Sequence, residues 1–331
     1  MSQEQTVEAS ADAPADENNE SIFFRKVDKD VWEAWAWSAL GLAVSSAIIW
    51  AVAFARLGDI SVRVYAMIPL TSIMVVPLVL WGLYKTMLHP PIFRASRTVG
   101  FGCLLAVGWA ANSPHLEAPV STQDWRSEHA YSLPFDGEWY TISGGDVREN
   151  NYNLTAPALR FGYAFTKLGP DGKRFAGDDD IELEKYHCFG QPLYAPASGL
   201  VTHVHNGERD NVPGKSSTEN FLGNHIRIKV DEREYLIITY LKNDSILVEE
   251  GAAVQAGQKI GECGNSGGAT YPHVQMYLVT DPDRTLVAEG LPLFFDNFEV
   301  GGKLVERGKP LGSGEFDDLT SGQLVRAAAR K

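Results

Sequence analysis

The sequence predicts a helical membrane region of about three spans, followed by a mostly antiparallel β domain. The long apolar runs are confined to residues 31–112. From about residue 137 the chain changes to short β-type runs separated by Gly, Asn, Asp and Pro. No long segment with the 3.6-residue period of a helix competes with these runs in the second half. The 331 residues suffice for a membrane region and one globular domain.

The first 30 residues are expected to be disordered and cytoplasmic. Acidic residues precede the first Lys or Arg and stand among Ala, Ser, Asn and Gln: Glu4, Glu8, Asp12, Asp16, Glu17 and Glu20. Such a segment buries too little apolar surface to offset the loss of chain entropy on folding. It has neither the basic region nor the apolar region of a signal peptide. The net charge of −13 gives nucleic-acid binding no electrostatic support.

Three apolar runs make up the predicted membrane region, 31–112. Residues 32–54 are apolar except for Glu33, and at ~1.5 Å per residue they are long enough to cross a bilayer. Residues 64–84 form a second run of sufficient length. Residues 99–111 form a third run, which is shorter than the roughly 17–25 residues of a typical span.

The basic residues around these runs predict the topology. They cluster before the first run and after the second: Arg25, Lys26 and Lys29, then Lys85, Arg94 and Arg97. By the positive-inside rule, both segments are cytoplasmic. If residues 99–111 span the bilayer, which the sequence favours, the β domain lies outside the cytoplasmic membrane. If they lie in the interface, the β domain is cytoplasmic.

The second half divides into a linker, a domain and a tail. Residues 113–136 are polar and contain proline, which is typical of a linker. The β domain is expected over 137–300. Residues 301–331 contain few apolar side chains and are expected to form a loosely ordered tail, although 323–330 could form a short terminal helix.

The three cysteines have no CxxC or zinc-finger spacing. Cys103 lies in an apolar run and is expected to be inert. Cys188 and Cys263 could pair if the β domain is extracytoplasmic. The alternative is that both are small buried hydrophobic residues.

Residues 251–278 carry most of the functional information. Glycine turns separate two strand candidates, and the segment closes on a strand that runs from His273 to Leu278. Because side chains alternate along a strand, His273 and Gln275 face one side while Val274 faces the other. Two imidazoles spaced this way commonly serve one site, but the second position here is glutamine.

The order of motifs resembles that of the LytM/lysostaphin-type zinc metalloendopeptidases, peptidase family M23. The motifs are Ala-Pro-Ala-Ser-Gly-Leu-Val from residue 195, Gly-Asn-His-Ile-Arg-Ile from 223, Gly-x-x-Val-x-x-Gly-x-x-Ile-Gly from 251, Gly-Asn-Ser-Gly from 264 and Pro-His-Val-Gln from 272. The resemblance covers about 137–282. The glycine-rich hairpin alone also occurs in lipoyl and biotinyl carriers, but their lysine at the turn has no counterpart here.

The resemblance implies a zinc site that this sequence has largely lost. The family cleaves peptide cross-links of bacterial cell walls, and its zinc is held by a histidine, an aspartate and the second histidine of a His-x-His motif. Here that second histidine is Gln275, and a further family histidine, in Tyr-x-His-Leu, is Tyr240. The two upstream ligand positions fall on Asn153 and Ala164. His273 alone keeps its family identity.

These departures predict an inactive domain, because neutral amides are poor zinc ligands and alanine is none. We expect no catalytic residue, metal or cofactor. The residues Asn153, Tyr240, His273 and Gln275 are expected to line an inherited groove. It would bind peptidoglycan peptide or an envelope protein, with the chain held in the bacterial inner membrane and the β domain in the periplasm. Alternatively, the chain is an active zinc endopeptidase that uses an unrecognised metal site, or a structural subunit whose groove is empty.

One other histidine pattern is left open. His203 and His205 flank Val204 on a predicted strand, so both rings face one side. The pair follows the Ala-Pro turn and is therefore not the family motif. It could form a rebuilt metal site with His187 or His225, or it could be a solvated strand face.

Overall fold

The computed structural model describes residues 32–113, 117–178, 180–284, 288–314, 319 and 321–328. The predicted disordered segment 1–30 lies outside this part of the chain. The described residues divide into two compact units: those within 1–48 and 68–113 form one, and those within 49–67 and 114–331 form the other.

Four α-helices occur in the described residues: α1 (Ala34–Phe54), α2 (Asp59–Thr71), α3 (Val75–Leu88) and α4 (Ala95–Ala111). A 3₁₀ turn, Ser72–Met74, joins α2 and α3 into a continuous helical stretch, Asp59–Leu88. This stretch and α1 are long and apolar enough to cross a membrane. Of the predicted three or so spans, two meet that criterion, whereas α4, with 17 residues, is a shorter apolar helix. The second predicted run also starts too late, since α2 begins at Asp59.

Arg97 is buried in the helical unit and holds three segments together. Its Nη2 lies 2.7 Å from Glu33 Oε1 and donates to the carbonyl oxygen of His89 at 2.8 Å. Trp35 Nε1 donates to the same carboxylate at 2.6 Å. Glu33 precedes α1, His89 follows α3, and Arg97 lies in the first turn of α4. Therefore α1 and α4 begin at the same end of the unit, where α3 ends.

Small residues allow this helical unit to pack closely. The indole of Trp35 is buried together with Ala39, Leu78 and Leu104. A Cβ atom at Gly100 would lie 2.7 Å from Trp35 Cζ3, which is too close for any residue but glycine. The contact is typical of membrane helices, in which small residues let neighbouring helices approach.

The described part of the second unit contains thirteen strands. They are β1 (Glu138–Ser143), β2 (Tyr163–Thr166), β3 (Pro192–Tyr194), β4 (Gly199–His205), β5 (Asn224–Asp231), β6 (Glu234–Leu241), β7 (Ala253–Val254), β8 (Lys259–Glu262), β9 (Val274–Val279), β10 (Gly290–Leu291), β11 (Phe295–Val300), β12 (Lys303–Gly308) and β13 (Leu324–Ala327).

All of the pairings between these strands are antiparallel, which confirms the predicted antiparallel β domain. Ten strands follow the order β12-β11-β13-β1-β2-β9-β6-β5-β4-β7, and β10 adds to β9 to give an 11-stranded sheet. β3 and β8 form a separate two-stranded sheet. The centre of the large sheet is therefore β9, between β2 and β6.

The hydrophobic core covers one face of this sheet. Alternate residues of β5, β6 and β9 enter it, such as Ile226, Leu236, Ile238, Val274 and Met276. The intervening residues of β9, which include Gln275, therefore lie on the opposite face.

The predicted linker, 113–136, packs onto the β domain where the structure describes it. Tyr131, Leu133 and Phe135 are buried in the main core. The Glu234 carboxylate at the start of β6 is 3% exposed and accepts hydrogen bonds from Trp125 Nε1, Ser127 Oγ and Tyr131 Oη at 2.9, 2.6 and 2.7 Å. This segment is thus part of the domain and not a free spacer, because it supplies both core side chains and partners for a buried charge.

The predicted tail, 301–331, also contributes to the sheet. β12 pairs with β11, and β13 lies between β11 and β1 with Val325 in the core. The alternative of a terminal helix over 323–330 is wrong, because Leu324–Ala327 is a strand. Alanine favours a helix intrinsically, but pairing with two distant strands overrides that preference.

Cys188 and Cys263 form a disulfide bond with a Cα–Cα distance of 5.9 Å. Both residues are buried. The structure therefore resolves the alternative that the sequence left open, and Cys103 is a free cysteine.

Candidate functional site

The four residues predicted to form a groove line one cavity of about 430 Å³, which we call the groove. Its lining residues are Tyr152, Asn153, Phe221, Tyr240, Gly268, Thr270, His273, Gln275 and Gly314. Gln275 lies on β9, Tyr240 near the end of β6, and His273 just before β9. Asn153 comes from the segment between β1 and β2. The groove thus unites residues that are far apart in the sequence.

Gln275 occupies the centre of the sheet at the floor of the groove. Its direct partner on β2 is Ala164, and its direct partner on β6 is Thr239. Directly paired residues of antiparallel strands point to the same face, so the methyl group of Ala164 stands beside Gln275. The structure therefore places Ala164 next to Gln275, as expected if both stand at the ligand positions that the family resemblance implies.

His273 is buried and neutral at physiological pH. Its side chain is 4% exposed, and Nδ1 lies 2.8 Å from the carbonyl oxygen of Tyr271. Burial lowers the pKa of His273 to about 4, although the bond to Tyr271 acts in the opposite direction. The imidazole packs against the ring of Tyr240, with 4.9 Å between the ring centroids.

Tyr240 adopts a backbone conformation that is rare for a bulky residue. Its φ is +68°, in the left-handed region that favours glycine. The backbone is held on both sides, because its N–H donates to Leu222 and its carbonyl accepts from Gly264. Burial raises the pKa of the Tyr240 phenol, so the hydroxyl stays protonated. Strain of this kind persists only where the surroundings fix it, and it often marks a ligand site.

Asn153 brings an unused hydrogen-bond donor to the groove. Its backbone N–H donates to Asn151 Oδ1 at 2.8 Å. Asn151 in turn donates to the carbonyl oxygens of Gly145 and Arg160 at 3.0 and 2.8 Å, which fixes the loop. Within the described part of the chain, Asn153 Nδ2 is buried without a hydrogen-bond partner. An unpaired buried donor is costly, so an acceptor from a ligand would be favourable there.

The described residues that line the groove include no Asp, Glu, Lys or Arg. Tyr152 and Phe221 are 39% and 48% exposed and add aromatic surface at the rim. Sequence reasoning missed both of them, because they belong to loops that meet only in the folded domain. The groove can accept a neutral ligand through aromatic contacts and amide hydrogen bonds. With His273 neutral and Tyr240 protonated, it offers no group that titrates near pH 7.

The zinc that the family resemblance implies does not fit these residues. The amides of Asn153 and Gln275 and the methyl group of Ala164 replace the imidazole and carboxylate donors that bind zinc in such sites. Among the described residues, no three His, Cys, Asp or Glu side chains are already arranged to hold a metal ion.

The second histidine pattern lies apart from the groove. His203 and His205 on β4 lie beside His225 on β5, and we call these three residues the histidine cluster. His187, the other candidate partner, lines a different cavity together with Phe189 and Gln191. The structure thus selects His225 from the two partners that the sequence allowed.

Comparison with known proteins supports the resemblance found in the sequence. Residues 183–284 match the family description "Peptidase family M23". An uncharacterized lipoprotein, YgeR, from Escherichia coli strain K12 is 38% identical over 105 residues, which are 30% of this chain and 37% of that protein. The peptidoglycan DD-endopeptidase ShyA from Vibrio cholerae is 25% identical over 147 residues, which are 44% of this chain and 30% of ShyA.

This chain therefore spans about a third of the length of these curated relatives. Among solved structures, a zinc-containing peptidase from Vibrio cholerae is similar, with 21% sequence identity and a TM-score of 0.30. The similarity covers 50% of this chain and 40% of that structure.

Proposed function

We propose that this chain, whose residues 183–284 match peptidase family M23, is a membrane-anchored, catalytically inactive member that binds the uncharged backbone of a peptide in the bacterial envelope. The supporting observation is the composition of the groove. The positions that hold zinc and assist catalysis in the family converge here, but they carry Asn153, Ala164, Tyr240 and Gln275. A metallopeptidase needs a metal to lower the pKa of its attacking water, and these side chains cannot hold one.

The groove favours a peptide over an ionic ligand. Three aromatic side chains, of Tyr152, Phe221 and Tyr240, surround a floor of amides. The buried Nδ2 group of Asn153 would donate to a backbone carbonyl if the side chain turned into the groove, and aromatic faces pack well on peptide planes. Since ShyA is described as a peptidoglycan DD-endopeptidase, we infer that the ligand class is the peptide of peptidoglycan. A protein partner of the envelope that presents a similar segment is the second candidate.

We further propose that the β domain is periplasmic. The buried disulfide between Cys188 and Cys263 is typical of an oxidising compartment. The starts of α1 and α4 lie together at the end of the helical unit that carries Lys85, Arg94 and Arg97, which the positive-inside rule places in the cytoplasm.

Helix α4 would then carry the chain across the membrane. Its 17 residues rise about 26 Å, close to the ~30 Å hydrocarbon core of a bilayer. The side chains of Leu105 and Trp109 are each 76% exposed, which suits a lipid-facing surface with an interfacial tryptophan near the end. The ion pair with Glu33 neutralises Arg97 in the first turn of α4.

The test uses the full-length chain in detergent, incubated with purified cross-linked muropeptides. We expect no cleavage with or without added zinc, and saturable binding of the peptides. Tyr240→Phe keeps the ring and should bind like the parent chain, whereas Asn153→Leu, which removes the donor at similar size, should weaken binding about tenfold. Leu304→Ala, on the exposed edge strand β12, is the matched control remote from the groove.

Two outcomes would contradict the proposal. Cleavage that requires zinc would favour the active endopeptidase. The absence of muropeptide binding, together with stable co-purification of membrane proteins, would favour a structural subunit with an empty groove.

A further inference from the structure

The histidine cluster combines three imidazoles on one face of two neighbouring strands. His205 and His225 are direct partners of the β4–β5 pair. His203 lies two residues before His205, so its side chain points to the same side. None of the three lines the groove, so the cluster is independent of the proposed peptide-binding function.

The spacing of the rings suits a shared metal ion. The ring centroids of His203 and His225 are 5.3 Å apart, and those of His205 and His225 are 5.7 Å apart. A metal–nitrogen distance of about 2.0–2.1 Å puts each ring centroid about 3.2 Å from the ion, so two imidazoles in a tetrahedral site have centroids about 5.2 Å apart. Both observed separations are close to that value.

Each ring has one nitrogen engaged by an oxygen. His225 Nδ1 lies 2.8 Å from the carbonyl oxygen of Gly223, and His203 Nδ1 lies 2.7 Å from Glu250 Oε1. His205 Nε2 lies 3.5 Å from Glu208 Oε2. A carbonyl or carboxylate that holds one imidazole nitrogen is the usual outer partner of a metal-bound histidine, because it orients the ring and fixes the tautomer.

His225 is the fixed member of the cluster. It is 5% exposed, and within the described residues its Nε2 is buried without a hydrogen-bond partner. His203 and His205 are 41% and 43% exposed. As the side chains stand, the described residues contain no group of three His, Cys, Asp or Glu that holds a metal ion. Completing the site therefore requires both exposed rings to turn towards His225 and to rearrange their contacts with Glu250 and Glu208.

The surrounding charges tolerate a cation. Glu250 and Glu208 carry the carboxylates that contact the exposed rings. Arg227, which pairs with His203 across β4 and β5, carries the positive charge next to the cluster. Its Nη1 lies 3.5 Å from Asp283 Oδ1. Two carboxylates beside the rings and a paired guanidinium leave the local balance negative.

We propose that His203, His205 and His225 bind one divalent transition-metal ion that prefers imidazole ligands, with Zn²⁺ as the representative ion. Imidazole donors suit zinc and copper, whereas oxygen donors suit magnesium and calcium. The fourth coordination position faces solvent on the side of the two exposed rings. The ion would join β4 to β5 outside the groove.

The experiment is calorimetric titration of the full-length chain in detergent with ZnCl₂, without a polyhistidine tag and after removal of bound metal by a chelator. We expect one ion per chain. His203→Gln and His205→Gln should each weaken zinc binding by more than about tenfold, since losing an outer partner alone typically costs 10–100-fold. Glu250 orients His203, and Glu250→Gln keeps the size of that side chain. This variant should weaken zinc binding by about tenfold.

His273→Gln and His129→Gln are the controls, one in the groove and one exposed beside Asp231, and both should bind zinc like the parent chain. Because His203 and His205 are exposed, their substitution leaves the fold intact even if His225→Gln fails to fold. The proposal is overturned if the parent chain binds no zinc, or if His203→Gln and His205→Gln both bind it with unchanged affinity.

Discussion

The groove and the histidine cluster lie on the same sheet but differ in how their polar groups are used. In the groove, Gln275 and Asn153 stand where a related peptidase would hold metal ligands, and no titratable group there changes charge near neutral pH. In the cluster, His203 and His205 are exposed and oriented by carboxylates. The positions that match the family motif thus carry amides in place of imidazole and carboxylate groups, whereas residues outside the motif carry imidazoles.

The largest expected effect is a gain of zinc binding when the ligand set of the family is rebuilt in the groove. The triple variant Asn153→His, Ala164→Asp, Gln275→His restores two imidazoles and a carboxylate around the position of Gln275. It should bind one more zinc ion per chain than the parent, as measured by metal analysis after dialysis. Gln275→His alone should add none, because a single imidazole does not hold zinc. If the folded triple variant gains no zinc, Asn153 or Ala164 does not occupy a ligand position.

Substitution of Tyr240, whose ring is buried and whose φ is positive, is expected to have a smaller effect, a loss of stability. Tyr240→Ala should lower the free energy of unfolding by about 3–5 kcal/mol, through loss of a buried aromatic side chain. Tyr240→Gly should lower it by about 1 kcal/mol less, because glycine adopts this φ without strain. Urea denaturation followed by tryptophan fluorescence measures both. If Gly were the more destabilising of the two, the backbone at residue 240 would not be strained.

The pH dependence of stability distinguishes buried His273 from exposed His129. The pKa of His273 is about 4 in the folded chain and about 6.5 in an unfolded one, so the unfolded state binds more protons between these values. The contribution of His273 is fully present above about pH 6.5 and is lost as the pH falls to about 4, by up to about 3 kcal/mol. His273→Gln should flatten this part of the stability profile, whereas His129→Gln should not.

The smallest change in stability is expected at Asn153. Since Nδ2 has no partner within the described residues, Asn153→Ala should change the free energy of unfolding by less than about 1 kcal/mol. The same substitution should weaken muropeptide binding about tenfold, as measured by fluorescence anisotropy. A large loss of stability with unchanged binding would make Asn153 a structural residue of its loop.

The four residues that the sequence singled out line one cavity, whereas the β domain takes core residues and strands from outside the predicted range 137–300. The motif order identified Gln275 and Tyr240, because alternation along a strand and fixed turn spacing are local properties. The rim residues Tyr152 and Phe221 depend on loops that meet only after folding. The strand β13 was missed for a related reason, since its four residues pair with the distant strands β1 and β11. The strand β12 pairs with its neighbour β11, but its largely exposed residues lack an apolar alternation.

Two other outcomes depended on three-dimensional distance. The pairing of Cys188 with Cys263 spans 75 residues, and their spacing alone allowed either a disulfide or two separate thiols. The selection of His225 over His187 required the register of β4 and β5. The polar composition of residues 117–136 indicated a linker. In the fold, several of their polar groups donate hydrogen bonds to Glu234, so the segment packs onto the domain.

The ion pair between Glu33 and Arg97 has a consequence for biogenesis. A buried guanidinium is tolerated in a membrane protein only with its counter-ion, and here the two partners belong to the first and the last helical segments. In the proposed topology, helix α4 would enter the bilayer favourably only after the region of α1 is in place. A chain shortened to begin after Glu33 would leave Arg97 without this carboxylate, and insertion of its last helix would be the step that fails.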